Sequence, residues 1–173
     1  MSVNFKETFA HLNEIVDGIW LGDIYSAKDV QDLKSKGIKK ILTVMNQVGP
    51  NYKDKDGFIH KKIEIKDDDD QNIIQYIGEC LKFIKGDDKI LVHCMAGASR
   101  SPSIMIAYIM WTKKMKLDEA YEFVLNKRCF VFPNPGFIKQ LIVFEEELIK
   151  NEFDINKIKF NEIKWEPDNN AYK

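Results

Sequence analysis

The sequence is short of cysteine. It holds three, Cys80, Cys94 and Cys129, widely spaced, with no Cys-x-x-Cys pair and no zinc-ligand spacing. It also lacks long apolar runs: the longest, Ile104 to Trp111, falls far short of the about 20 residues that cross a bilayer. Met1–Ala10 carries no secretory leader, and Ser2 stands where N-myristoylation needs glycine. Neither charge dominates, with 26 basic and 27 acidic residues and a net charge of −1, which excludes a general nucleic-acid or membrane-surface binder. No G-x-x-x-x-G-K-[ST] occurs, so a Walker-type nucleotide loop is excluded. Together these absences predict a soluble cytoplasmic or nuclear chain in a reducing compartment, with no nucleic-acid partner, no stable membrane anchor and no metal.

What is present suits one domain. The 173 residues lie within the roughly 100–200 that single cores hold. The hydrophobic share of 45% can build a sizeable core, and the charged share of 31% keeps the surface wet. Ile15–Gly22 reads as a short strand with its Asp17-Gly18 turn, and Ser26–Lys36 as a helix stopped by Gly37. Ile38–Met45 reads as a buried strand, residues 46–57 as a loop, and His60–Lys66 as a half-exposed strand. A helix follows over 72–85, with Ile73, Ile77, Cys80, Leu81 and Ile84 along one face. Lys89–Val92 is a short strand ending at His93-Cys94, Met95–Ser99 a loop of small residues, and 101–113 a strongly apolar helix with Pro102 in its first turn. Two more helices are expected at 117–127 and 136–150. Strands alternating with helices imply an α/β fold around one central sheet, mixed but mostly parallel.

The strongest chemical signal is the run His93-Cys94-Met95-Ala96-Gly97-Ala98-Ser99-Arg100-Ser101 between a predicted strand and a predicted helix. A loop opening a helix turns successive backbone N–H groups inward and adds the positive end of the helix dipole. Such a cradle holds a phosphate dianion and favours a thiolate at its centre. Free cysteine titrates near about 8.5, but beside cations at helix N-termini it falls to about 3.5–7.5. Cys94 is therefore expected to be the nucleophile, held as thiolate. Arg100 offers a planar two-pronged donor for two phosphate oxygens, a geometry lysine cannot copy. Met95, Ala96, Gly97, Ala98 and Ser99 would supply the amides, with Gly97 free to take positive φ. Ser101 is placed to donate a hydrogen bond to the sulfur and help it leave, and His93 to orient the loop from behind. Cys80, on an apolar helix face, and Cys129 are read as core.

A leaving alkoxide or phenoxide needs a proton, which a carboxylic acid can supply. Asp67-Asp68-Asp69-Asp70 follows the 60–66 strand, and adjacent carboxylates raise one another's pKa. A solvated acidic turn is the bland reading for most of the four, and composition does not choose among them.

The loop HCMAGASRS resembles the signature of the dual-specificity protein phosphatases, cysteine-dependent enzymes of the protein tyrosine phosphatase superfamily. The likeness spans about residues 14–150 and takes in Ile19-Trp20-Leu21-Gly22, Ala107-Tyr108-Ile109-Met110 and Pro133-Asn134-Pro135-Gly136-Phe137-Ile138-Lys139-Gln140-Leu141, with Glu145 beyond. The resemblance implies that the acid is Asp67, ahead of Gln71-Asn72-Ile73, with Asp68 and then Asp70 as fallbacks. It implies a two-step, metal-free hydrolysis through phosphocysteine on Cys94, and an oxyanion such as phosphate or sulfate as occupant. It further implies phosphorylated protein substrates bearing phosphotyrosine and phosphoserine or phosphothreonine. With only 1–13 ahead of a catalytic domain at 14–150, the kinase-docking module of larger members is expected to be missing. That points to the small, atypical group and leaves MAP kinase-type signalling proteins as candidate substrates. Residues 151–173 have no counterpart in the resemblance and are expected to pack on the surface or stay partly disordered. Rival readings are a phosphatase of a phosphoinositide, RNA 5′-triphosphate or glucan, which the uncharged Met95, Ala96, Ala98 and Ser99 disfavour, and a non-catalytic phosphate-binding module, which Cys94, Arg100 and Asp67 disfavour.

Overall fold

The computed structural model describes residues 11–167. The readings made on Met1–Ala10 and on the end of the 151–173 extension lie outside them. Strand β1 (Leu12–Val16) turns at Asp17-Gly18 into β2 (Ile19–Gly22), which pairs with it antiparallel. The single strand expected over Ile15–Gly22 is thus the heart of a hairpin. Gly18 takes φ +74, a value that a side chain resists, and reverses the chain.

A second difference follows. The helix expected over Ser26–Lys36 is two helices, α1 (Ile24–Lys28) and α2 (Val30–Ser35). Asp29 between them leaves helical geometry (φ −82, ψ 76), and its carboxylate accepts from Asp32 N at 2.9 Å to cap α2.

Strands β3 (Lys40–Val44), β4 (Ile59–Ile63) and β5 (Ile90–His93) complete a five-stranded sheet in the order β1-β2-β5-β3-β4, parallel in every pairing except β1 with β2. The expected mixed, mostly parallel α/β sheet is the one found. Strand β4 stops at Ile63, short of the expected Lys66, because its partner β3 ends opposite it at Val44. Released from the sheet, the chain carries Ile65 inward as a buried residue and leads on to the aspartates.

Four longer helices follow: α3 (Ile74–Ile84), α4 (Arg100–Lys113), α5 (Leu117–Lys127) and α6 (Pro135–Lys150). Helix α4 is buried at every position from Arg100 to Ala107, as a helix apolar all round must be. Ile104, Ile106 and Ile109 are 0% exposed and contribute roughly 1.5–3 kcal/mol each. Residues beyond α6 return to the core: Ile155 and Ile158 are buried, and the Phe160 ring lies so close to α3 that a side chain at Gly78 would collide with it. Among the described residues no helix is long and apolar enough to cross a membrane. Central β5 and central α4 fix the site between them, since the loop that joins them leaves the C-terminal edge of a parallel sheet, where α/β folds place their ligands.

Candidate active site

Buried β5 ends at His93, and Cys94 follows at 1% exposure. Two donors reach its sulfur: Gly97 N–H at 3.2 Å and Ser101 Oγ–H at 3.2 Å. Gly97 sits at φ +66, and a Cβ there would lie 2.6 Å from Gly22 O, so both conformation and space demand glycine. The free N–H groups of the first turn of α4 also open toward this loop.

The loop is held by its carbonyls. Cys94 O takes His93 Nδ1–H at 3.2 Å and Met95 O takes Ile24 N–H at 3.0 Å. Ala96 O and Gly97 O take Arg128 Nη2–H at 3.4 Å and Nε–H at 2.9 Å, and Ala98 O takes Phe132 N–H at 2.7 Å. Every carbonyl from Cys94 to Ala98 is therefore tied to the surrounding protein. In a planar trans peptide the N–H points opposite to the C=O. The amides of Met95 to Ser99 are thereby turned to the inner side, where Gly97 N–H already meets the sulfur.

Arg128 was not anticipated from the sequence. It is 0% exposed, and its Nη1 also donates to Asn13 Oδ1 at 2.6 Å. Burial pulls its pKa down to about 10, opposed by the negative charge of Asp23 and by Cys94, so it stays charged at neutral pH. Its position at the end of α5, beside Lys127, looks like an ordinary basic helix terminus; only the fold shows that it points inward. Cys129 beside it is exposed, which corrects the expectation of a core cysteine: with Arg128 turned in, its neighbour is left facing out. Cys80 is core as expected, and burial raises its thiol to about 12.

Behind the loop the proton positions follow from the acceptors. Nδ1 of His93 faces a carbonyl and must carry its hydrogen, so Nε2 accepts from Thr43 Oγ1 at 2.7 Å. The Thr43 oxygen then accepts from His60 Nε2–H at 2.8 Å. Burial drives the His93 pKa down to about 4 and that of His60 down as well, the latter aided by Lys62. A neutral His93 braces Cys94 from below and carries no charge into the site.

Asp67 is the aspartate whose carboxylate meets the loop. Its Oδ1 accepts from Ser99 Oγ at 2.6 Å and Asn134 Nδ2 at 2.9 Å, its Oδ2 lies 3.7 Å from Arg100 Nε, and its side chain is 37% exposed. Asp68 instead accepts from Asp70 N at 3.2 Å. The acidic loop is fastened to the start of α6: Gln140 accepts from Ile73 N and Ile74 N at 2.7 and 3.1 Å and donates to Gln71 O at 2.9 Å, and Gly136 packs on Asp69 O so closely that no Cβ fits. Arg100, 5% exposed, donates from Nη1 to Gln47 Oε1 at 2.7 Å and to Ile65 O at 3.3 Å, while its buried Nε has no hydrogen-bond partner. The structure therefore brings Cys94, Met95–Ser99, Arg100, Ser101, Asp67 and His93 together. It adds Arg128, Asn134, Gln140, Thr43 and Gln47 from outside the signature. No group of three or more His, Cys, Asp or Glu is clustered for a metal ion among the described residues.

The comparisons with known proteins point the same way. The family model described as dual specificity phosphatase, catalytic domain, matches residues 19–147. Dual specificity protein phosphatase 1B of Arabidopsis thaliana is 38% identical over 144 residues, covering 81% of this chain and 85% of that protein. MAP kinase phosphatase with leucine-rich repeats protein 1 of Dictyostelium discoideum is 40% identical over 139 residues, and here the chain spans only 16% of its length. Among solved structures, the human tyrosine phosphatase-like serine/threonine/tyrosine-interacting protein superposes with a TM-score of 0.75 at 34% identity, covering 80% of this chain and 97% of that one.

Proposed function

Because the chain belongs to the dual specificity phosphatase family, and is with it a dual specificity protein phosphatase, we propose that Cys94, Arg100 and Asp67 carry its reaction through a phosphocysteine. The observation that supports this best is the ring of outward-tied carbonyls from Cys94 to Ala98, which turns the amides inward, one onto the sulfur and the others toward where phosphate oxygens would sit. Donors fixed before substrate arrives need no rearrangement as charge develops on the equatorial oxygens.

In the first step the Cys94 thiolate attacks phosphorus, the bond from phosphorus to the side-chain oxygen breaks, and Asp67, protonated, gives its proton to that oxygen. In the second, Asp67 takes a proton from water as the water oxygen attacks phosphorus. The S–P bond then breaks, and Ser101 Oγ–H, 3.2 Å from the sulfur, stabilises the departing thiolate. Met95, Ala96, Gly97, Ala98 and Ser99 bind phosphate through their amides, Arg100 through its guanidinium, and His93 supports the loop. Phosphate or sulfate is the expected occupant in the absence of substrate.

The catalytic domain in this reading is 14–150, with 151–173 as an extension, of which Phe160 packs against α3 at Gly78. Cytoplasmic or nuclear phosphoproteins are the substrates, and MAP kinase-type signalling proteins are the class to try first, since a relative carries that activity in its name. Hydrolysis of para-nitrophenyl phosphate by the wild type and by Cys94→Ser tests the assignment. Wild-type turnover should exceed the variant's by at least about 10⁴-fold; equal rates would leave a phosphate-binding module instead.

A further inference from the structure

Arg100 is the group that the proposed reading asks to grip phosphate, and its own support is unusual. Both hydrogens of Nη1 are engaged inside the protein, one by Gln47 Oε1 at 2.7 Å and one by Ile65 O at 3.3 Å. The opposite edge is free. Nε is buried without a hydrogen-bond partner, with Asp67 Oδ2 at 3.7 Å, and Nη2 on the same side has no protein partner among the described residues. The Nε–H and Nη2–H bonds of a guanidinium run parallel, and that edge takes two oxygens of one anion. A buried donor left empty marks where a ligand oxygen belongs.

We propose that Gln47 is a positioning residue for phosphate binding. With Ile65 O it takes up the Nη1 end of Arg100 and so presents the Nε–Nη2 edge to the anion above Cys94. Gln47 suits the task for a chemical reason: an amide oxygen fixes the orientation of the guanidinium without cancelling its charge, whereas a glutamate there would compete with the dianion. It suits it for a structural reason too. Gln47 itself belongs to an exposed stretch, in which Val48 is 93% exposed, but Met45 two residues earlier is fully buried against Cys94 and Ile24. The residue is thus anchored at its base and reaches back over the site. From there its Oε1 accepts from Arg100 Nη1 at 2.7 Å.

The inference rests on Arg100 holding phosphate, and the experiment separates the two claims. Q47L, R100K and the double variant are compared for kcat and KM on para-nitrophenyl phosphate and for inhibition by inorganic phosphate. Q47L should raise KM and the phosphate inhibition constant by about tenfold while kcat changes by less than about threefold, the loss of one charge-assisted hydrogen bond that serves ground and transition state alike. Gln47→Asn, too short to reach, should behave as Q47L does. In the R100K background Q47L should add no more than about twofold, because its partner is gone. A phosphate inhibition constant for Q47L within about twofold of the wild type, or an equal loss in both backgrounds, overturns the role of Gln47. If R100K itself binds phosphate as the wild type does, Arg100 is not the grip and the proposed reading of that residue falls first.

Discussion

Cys94 is 1% exposed and Ser101 and Arg128 are 0% exposed, while the Asp67 side chain, hydrogen-bonded to Ser99 of the same loop, is 37% exposed. The floor of the site, from His93 to Ser101, is braced through backbone carbonyls by a buried guanidinium, the first residue of α1 and the 128–132 segment. The acidic loop is fastened through side chains and close packing from two helix starts, Ser99 at that of α4 and Asn134 at that of α6 on Asp67, and Gln140 and Gly136 of α6 on the residues behind it. The difference fits the chemistry proposed for each part. Donors that stabilise a developing oxyanion act best when fixed and dry. An acid that gives and regains a proton every turnover needs contact with water and with the leaving group.

The comparison breaks most sharply at the acid. Asp67→Asn should lower turnover of a phosphoserine peptide by about 10²–10³-fold and that of an aryl phosphate far less, since a good leaving group needs little protonation. Equal losses on both substrates would remove Asp67 from the role. The floor should answer differently. Arg128→Met leaves the carbonyls of Ala96 and Gly97 and the amide of Asn13 without their buried donor, and should cost about 3 kcal/mol in urea titrations and roughly 10–100-fold in kcat/KM on every substrate. A stably folded variant with unchanged kcat/KM would show that the loop keeps its shape unaided.

The buried histidine gives a pH signature confined to the floor. His93 has a folded pKa of about 4, below the ordinary 6.5, so in the window between these values the unfolded chain binds the proton and the folded chain does not. Stability must fall as pH falls through that window, by about 2 kcal/mol between pH 7 and pH 5. Urea titrations at the two pH values should show a smaller loss for His93→Asn; the same loss in both would locate the titration elsewhere. The least effect belongs to Asn134→Ala, at about two- to fivefold in turnover, because Ser99 Oγ still holds Asp67 Oδ1. A loss as large as that of Asp67→Asn would mean that Asn134 does more than position the acid.

What could be read from the sequence was what lies close together along it. His93 to Ser101 forms a contiguous unit, strand end, small-residue loop and helix start, so its shape and chemistry are written locally. Asp67 needed the family spacing, because four adjacent aspartates differ only in where the fold points them. Arg128, Asn13, Thr43, His60 and Gln47 reach the site across the fold, and no local pattern distinguishes an arginine that turns inward at a helix end from one that stays in water. The reading of Cys129 as core failed for the same reason, since the side that faces in there is set by Arg128. Local errors were of another kind. Gly18 reversed a chain that had looked like one strand, and Asp29 capped a new helix inside what had looked like one, both through turn and cap chemistry that hydrophobic spacing does not register.

The central claim is that phosphate passes through Cys94, and rapid quenching of Ser101→Ala during turnover of para-nitrophenyl phosphate tests it most directly. With the Ser101 hydrogen bond to the sulfur removed the second step should slow, and mass spectrometry of the quenched protein should find one phosphoryl group on the peptide that carries Cys94, formed within the first turnover and lost when substrate is exhausted. Continued turnover with no adduct on that peptide, or an adduct mapped to another residue, would contradict the account.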